Sequence, residues 1–101
     1  MIEIYYKRAF AQFVKKASKP LQLTIEDRIN EVCNNPEIGK QKLGDLQGLF
    51  VYKFRFSNQE YLMAYEFDRS SNANKLTWLE FCQIGPHENF YMQLKRSIRL
   101  K

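Results

Sequence analysis

The chain has 101 residues, with 16 lysines and arginines against 11 aspartates and glutamates, a net charge of +5 and a hydrophobic fraction of 45%. This length predicts a single domain covering residues 1–101, and the apolar content excludes a disordered tail. The basic balance favours an anionic partner, such as nucleic acid, the ribosome, an acidic protein or a membrane surface.

The first third of the chain predicts a strand followed by two helices. Residues 1–6 read as a short strand, and an apolar stripe with the i, i+3, i+4, i+7 spacing of an amphipathic helix begins at Phe10. Ser18-Lys19-Pro20 interrupts this pattern and begins a second helix, which Asn34-Asn35-Pro36 ends. Two helices joined by so short a turn form an antiparallel hairpin.

Cations surround the first predicted helix and follow the second. Four lie in or beside the first helix, off its apolar stripe: Lys7, Arg8, Lys15 and Lys16. The pattern fits a nucleic-acid contact and equally fits a solvated helix face. Residues 36–47 predict a loop with Lys40 and Lys42 exposed, and we include these two lysines among the candidate nucleic-acid contacts.

Residues 48–56 predict the central strand, since they are dense in β-branched and aromatic residues. Side chains alternate between the faces of a strand. One face is therefore aromatic, and we expect the helical hairpin to cover it; its residues are Phe50, Tyr52, Phe54 and Phe56. The other face begins apolar and ends with Lys53 and Arg55, about 7 Å apart. Two cations on a half-buried surface indicate an anion-binding face.

The rest of the chain predicts two more strands and a helix. Residues 57–60 are turn-like, 61–67 and 76–84 read as strands joined by a polar hairpin loop, and 87–100 read as a helix. The order is β-α-α-β-β-β-α. It predicts an α+β fold, a small, mainly antiparallel sheet with the N-terminal helical hairpin packed on one face and a C-terminal helix.

The sequence predicts no metal, no cofactor and no membrane contact. Cys33, Cys82 and a single histidine are too few for structural zinc, which takes about four ligands. No signal peptide is visible, so we expect two reduced, buried thiols in a cytoplasmic protein. No apolar run approaches the roughly 20 residues of a membrane span.

His87 and Tyr91 follow the last predicted strand. If that strand ran beside the strand of residues 48–56, its end would bring both side chains towards Lys53 and Arg55. Histidine transfers protons near neutral pH, and arginine grips phosphate oxygens in a fork. The four residues fit metal-independent cleavage of an RNA phosphodiester: cations on the phosphate, His87 as acid or base, Tyr91 stacking or assisting. His87 as a surface or cap residue and Tyr91 as a packing residue are the simpler alternatives.

Taken in order, these segments resemble the RelE/ParE superfamily of toxins from bacterial type II toxin–antitoxin modules. The segments that carry the resemblance are the basic first helix and residues 34–36, 42–48, 51–55, 61–65 and 84–91. The resemblance implies a compact microbial-RNase-like fold, a cognate antitoxin and one of two activities. RelE-like members cut mRNA in the ribosomal A site, whereas ParE-like members have lost the RNase residues and poison DNA gyrase.

Residue by residue, the resemblance supports an RNase with one departure. Lys53 and Arg55 match the cationic pair of RelE-like enzymes. His87 falls where those enzymes have a catalytic arginine and YafQ-like ones a histidine, and Tyr91 falls where they have an aromatic residue. Leu62, however, stands where RelE-like enzymes carry an arginine, so one phosphate clamp is missing.

The leading hypothesis is therefore a ribosome-dependent mRNA endoribonuclease, an mRNA interferase, that inhibits translation. The alternative is a non-enzymatic inhibitor of DNA gyrase, which Leu62 favours. A third reading is an antitoxin-binding domain without toxicity. Arg69 and Lys75 are the candidates to replace the missing arginine, but the sequence does not place them.

Overall fold

The computed structural model describes residues 2–71 and 75–99. The predictions for Met1, for residues 72–74 of the polar loop and for residues 100–101 at the end of the last helix lie outside the described residues. The strands are β1 (Glu3–Tyr6), β2 (Lys40–Gln41), β3 (Phe50–Phe56), β4 (Gln59–Arg69) and β5 (Leu76–Pro86). The helices are α1 (Arg8–Lys16), α2 (Lys19–Asn34) and α3 (Phe90–Arg99).

The strands form one sheet in the order β1-β5-β4-β3-β2. β1 runs parallel to β5, and the other neighbours are antiparallel. A two-residue turn joins β3 to β4, and both of its residues, Ser57 and Asn58, have positive φ angles (52° and 63°). Tight hairpin turns of this kind match the twist of the flanking strands. The predicted α+β fold with a mainly antiparallel sheet is confirmed.

Three local predictions differ from the structure. β2 was predicted as part of a loop, but its two residues pair with Phe50 and Val51 of β3. β5 continues through Gly85 to Pro86, because both residues pair with β4, and α3 begins only at Phe90. Residues 59 and 60, predicted to be part of a turn, belong to β4. The last strand lies beside β4 and not beside β3, so the condition under which His87 and Tyr91 would approach Lys53 directly is not met.

The helical hairpin covers the aromatic face of the sheet, as predicted. Ser18 caps α2 by accepting a hydrogen bond from the backbone N–H of Leu21 at 3.3 Å. Below the hairpin, Phe10 and Ile25 pack in one apolar cluster with Phe54 and Phe81 of the sheet. The partly buried rings of β3 pack against the same cluster.

Helix α3 covers the opposite face of the sheet with a smaller, mainly aliphatic cluster. Phe90 and Leu94 of the helix pack on Val51 and Leu62 of the sheet. Lys53 and Arg55 follow Val51 on β3, and Glu60 precedes Leu62 on the antiparallel β4, so all three lie at the same end of the sheet. The side chains of Lys53 and Glu60 are 63% and 29% exposed. This face therefore divides into a buried part and a polar end.

Cys82 is buried and Cys33 is half-buried, and no disulfide joins them. The prediction of two buried thiols holds for Cys82 only. None of the helices in residues 2–71 and 75–99 combines the length and apolar composition that a membrane crossing requires.

Candidate active-site cleft

A cleft of about 330 Å³ opens at the polar end of the α3 face. Val51 and Leu62 contribute apolar walls. Five polar or aromatic side chains predicted to be functional line it: Lys40, Lys42, Lys53, His87 and Tyr91. The structure thus brings together residues that are up to 51 positions apart in the sequence.

The short strand β2 places two of the lysines. Lys40 pairs with Val51, and the backbone N–H of Lys42 donates to the carbonyl of Leu49 at 2.9 Å. These backbone bonds fix the edge of the sheet next to Lys53 on β3. Three ammonium groups around one cleft have no matching number of carboxylates in its wall, so the cleft favours an anion.

His87 and Tyr91 form the wall opposite β2. The backbone N–H of His87 donates to the carbonyl of Glu60 at 3.0 Å, which continues the pairing of β5 with β4 past Pro86. The ring of Tyr91 meets the imidazole edge to face, with 6.4 Å between centroids. The ammonium of Lys42 lies 5.0 Å from the centroid of the Tyr91 ring, within the range of a cation–π contact. Tyr91 therefore links the two walls of the cleft.

Glu60 is a site residue that the sequence reasoning missed. Its Oε2 lies 3.8 Å from Nζ of Lys53, and its Oε1 lies 3.9 Å from Nε2 of His87. The sequence predicts a four-residue turn that includes Glu60. Because the turn is only Ser57-Asn58, Glu60 belongs to β4 and pairs with Arg55. A two-residue hairpin drawn on the sequence would have put Glu60 beside the predicted cations.

Arg55 lies next to the cleft but does not line it. The residue follows Lys53 on the same face of β3, and its Nη2 donates to the carbonyl of Asn58 in the hairpin turn at 3.4 Å. That bond is exposed and longer than the usual 2.7–3.2 Å of a protein hydrogen bond. The guanidinium can therefore leave it for a stronger anionic acceptor.

The position of the missing arginine is apolar and almost fully buried. Leu62 is 1% exposed and packs in the cluster below α3. Arg69 does not replace it: its guanidinium donates to both carboxylate oxygens of Glu37, at 2.8 and 3.1 Å. That contact holds the pKa of Glu37 below its usual value. The carbonyl of Lys75 accepts from the N–H of Ser70, just after β4. Lys75 therefore lies at the end of the β4–β5 hairpin that is remote from Leu62.

The four cations predicted around the first helix lie outside the cleft. Arg8, Lys15 and Lys16 are exposed on α1. Lys7 precedes the helix and lines a separate depression together with Asp45, Glu66 and Cys82. The three exposed cations make the outer surface of α1 basic, whereas Lys7 shares its depression with two acidic side chains.

A buried tyrosine supports the β2 side of the cleft. The hydroxyl of Tyr65 donates to the carbonyl of Pro36 at 2.6 Å and accepts from the N–H of Gly39 at 3.0 Å. Burial raises the pKa of Tyr65 to about 12. Gly39 is needed here, because a Cβ at that position would lie 2.5 Å from the tyrosine oxygen. The bonds tie the segment before Lys40 to the centre of the sheet.

In the part of the chain that the structure describes, the side chains that could hold a metal are Glu66, Glu80 and Cys82. Their ligand atoms lie within 4.8 Å of one another. Three protein ligands fall short of the four of a structural zinc site, and none of them lines the cleft. We assign no metal to this cluster.

Comparisons with known proteins agree with this fold. The family model of the ParE-like toxins of type II bacterial toxin–antitoxin systems matches residues 4–95. No curated protein is similar to the chain at a significant level.

Solved structures of E. coli RelE are similar in fold. A RelE mutant with two arginines replaced by alanine, in the free state, has a TM-score of 0.67 at 15% identity, covering 99% of this chain and 98% of that chain. Isolated RelE has a TM-score of 0.64 at 15% identity, with 100% of both chains covered. The intact RelBE toxin–antitoxin complex has a TM-score of 0.63 at 16% identity, covering 87% of this chain and 99% of that chain. With the family model matching nearly its whole length, the chain belongs to the ParE-like toxins of type II bacterial toxin–antitoxin systems.

Proposed function

We propose that this toxin is a ribosome-dependent mRNA endoribonuclease that inhibits translation. The observation that carries the proposal is the shared cleft of about 330 Å³, which His87 and Tyr91 line together with three lysines. A gyrase inhibitor that acts by surface contact has no need for a proton-transfer group in the wall of such a cationic cleft. The RelE fold supports the same reading.

The reaction needs three functions, and the cleft residues can supply them. The 2′-hydroxyl must lose its proton and attack the phosphorus, the charge of the phosphorane must be neutralised, and the leaving 5′-oxygen must gain a proton. We assign neutralisation of the phosphorane charge to Lys53, with Arg55 reaching in from beside the β3–β4 turn. We assign proton transfer to His87, the side chain suited to both directions near neutral pH.

The remaining cleft residues are assigned to binding. Tyr91 offers an aromatic face on which a base can stack, a contact worth about 1–3 kcal/mol in single-strand recognition. Lys40 and Lys42 meet the phosphates that flank the cleavage point. The cations Lys7, Arg8, Lys15 and Lys16 are assigned to a separate electrostatic contact with ribosomal RNA.

The partner that controls the toxin is proposed to be a cognate antitoxin, as in the E. coli RelBE complex. With a toxin charge of +5, an acidic or amphipathic antitoxin segment that folds on the basic surface is the expected chemistry. The assigned site of action, the translating ribosome, places the protein in the cytoplasm.

The test is primer extension on a reporter mRNA in a reconstituted translation system, with purified toxin, with and without ribosomes. We expect discrete cuts within codons only when ribosomes are present. Intact mRNA in both reactions would reject the proposal.

DNA gyrase is the second candidate target, and the observation in its favour is Leu62. The side chain at that position is apolar and 1% exposed, so the cleft lacks one cation that RelE-like enzymes use. If mRNA stays intact, inhibition of gyrase supercoiling and accumulation of cleavage complexes are the assays that follow.

A further inference from the structure

We propose that Glu60 is a positioning residue of the cleft, which holds Lys53 and His87 on either side of the scissile phosphate. The proposal rests on the endoribonuclease function proposed above and adds a residue to it. Its basis is that one carboxylate meets both side chains, with Oε2 3.8 Å from Lys53 and Oε1 3.9 Å from His87.

Glu60 is the best fixed of the three groups. Its backbone lies within β4, in register with Arg55 of β3, and its carbonyl accepts the N–H of His87 at 3.0 Å. Its side chain is 29% exposed, whereas those of Lys53 and His87 are 63% and 60% exposed. A long lysine and an exposed imidazole have many rotamers, and a nearby charge on a rigid strand selects among them.

The contacts act through charge. Both distances exceed hydrogen-bond length, so in the free protein the carboxylate attracts the Lys53 ammonium, and the His87 imidazole when that ring carries a proton, without bonding to either. Because the two oxygens face different partners, Lys53 and His87 are drawn to different sides of one carboxylate. Neutralising the phosphorane and transferring a proton likewise require two groups on different sides of one phosphate.

This role has an unusual kinetic signature. A carboxylate beside an RNA phosphate weakens binding by repulsion, so removing it should leave binding unchanged or tighten it. If Glu60 positions the reacting groups, removing it should also slow the chemical step. The two parameters are therefore expected to move in opposite directions.

The experiment compares Glu60→Gln with Glu88→Gln. Glu88 is exposed and adjacent to His87 in sequence, and it lines the same outer depression as Glu60. The control thus removes the same charge from the same neighbourhood. For Glu60→Gln we expect kcat of ribosome-dependent cleavage to fall about 10- to 100-fold, the cost of about 1 Å of misplacement. We expect KM for the ribosome–mRNA complex to stay constant or fall by up to about fivefold. Glu88→Gln should keep its kcat.

A second readout does not depend on activity. His87 is the single histidine of the chain, so its ring signals in an NMR spectrum are assigned without ambiguity. In the wild type we expect nuclear Overhauser effects between the rings of His87 and Tyr91, which meet edge to face. Glu60→Gln should weaken them while the unfolding temperature stays within the range of Glu88→Gln.

Three results would overturn the proposal. They are equal kcat in the two variants, a rise of kcat in Glu60→Gln that marks the carboxylate as repulsive only, and a loss of kcat accompanied by raised KM and lower stability. Absence of cleavage by the wild type would instead overturn the endoribonuclease function. In that case, unchanged Overhauser effects between His87 and Tyr91 in Glu60→Gln would also reject the claim that Glu60 positions His87. Weakened effects would support that claim without the endoribonuclease function.

Discussion

The two faces of the sheet differ in what covers them and in how far the cover extends. The helical hairpin buries its face with a continuous cluster of aromatic and branched side chains. Helix α3 covers only part of its own face, and beyond Leu62 the surface becomes polar and open. The same strands supply both faces, because successive side chains point to opposite sides. We infer that the hairpin face provides stability and that the open end of the α3 face provides chemistry.

The largest effect is expected from a cavity-creating substitution in the buried cluster of the hairpin face. Phe81 is fully buried and packs on the rings of Tyr6, Phe10 and Tyr65, with centroids 5.2–6.0 Å apart. Phe81→Ala should lower the free energy of unfolding by about 3–5 kcal/mol, as large cavities in cores do. Denaturant unfolding measures this. The control, Lys53→Ala, should stay within about 0.5 kcal/mol of the wild type, as surface changes do; an equal loss in both variants would refute the division between the faces.

A substitution in the cleft should lower the cleavage rate without changing the stability of the fold. His87→Ala should reduce the single-turnover rate of ribosome-dependent cleavage by about 10²- to 10⁴-fold, the usual contribution of a placed acid or base. Its unfolding midpoint should match that of the wild type, because the side chain is 60% exposed. A rate within threefold or so of the wild type, in a folded variant, would remove His87 from the mechanism, since about 10²-fold is the lower expectation.

Tyr65→Phe tests a contact through which the hairpin face supports the cleft. Losing the hydroxyl leaves the Pro36 carbonyl and the Gly39 N–H without their partner, which should cost about 1–3 kcal/mol near neutral pH. The folded-state pKa of Tyr65 is raised to about 12. Its contribution is therefore full below the unfolded-state pKa of about 10 and is lost as pH rises towards 12.

Unfolding of the wild type and Tyr65→Phe across pH 8–12 is the measurement. The difference between the two should shrink between pH 10 and 12, and a constant difference would contradict the assigned burial of the phenol. Gly39→Ala offers a structural control, since its Cβ would lie 2.5 Å from the tyrosine oxygen. Its destabilisation should be smaller in the Tyr65→Phe background.

The smallest expected effect concerns the cations of α1. Binding to ribosomes should weaken as salt rises, because phosphate contacts release counterions. Replacing Arg8, Lys15 and Lys16 by alanine should reduce the slope of log affinity against log salt by up to about 2, at about 0.7 for each single-strand phosphate contact. An unchanged slope would exclude α1 from the ribosome contact.

The fold was largely predictable because apolar residues recur at two distinct spacings, every second residue in the strands and every three to four residues in the helices. Alternation in residues 48–56 separated the aromatic face from the face with Lys53, and the spacing from Phe10 gave the covering helix. β2 was not predictable, since two polar residues carry no period and become a strand only by pairing with β3.

Five of the predicted site residues line the cleft, but the contacts between them were not predictable from the sequence. His87 and Tyr91 reach Lys53 across β4, whereas the sequence suggested this approach only if the last strand lay beside β3. Glu60 was missed because polar residues after a strand look like turn, and the length of the turn depends on two positive φ angles that the sequence does not mark. The role of each site residue stays a prediction.

The most direct test of the central claim is growth of cells that express the toxin variants at equal soluble levels. The account predicts that the wild type stops growth and that Lys53→Ala and His87→Ala do not. Lys19→Ala, which removes an exposed lysine from the start of α2, should remain toxic. If the two cleft variants were as toxic as Lys19→Ala, the cleft would not be the source of toxicity and the account would be wrong.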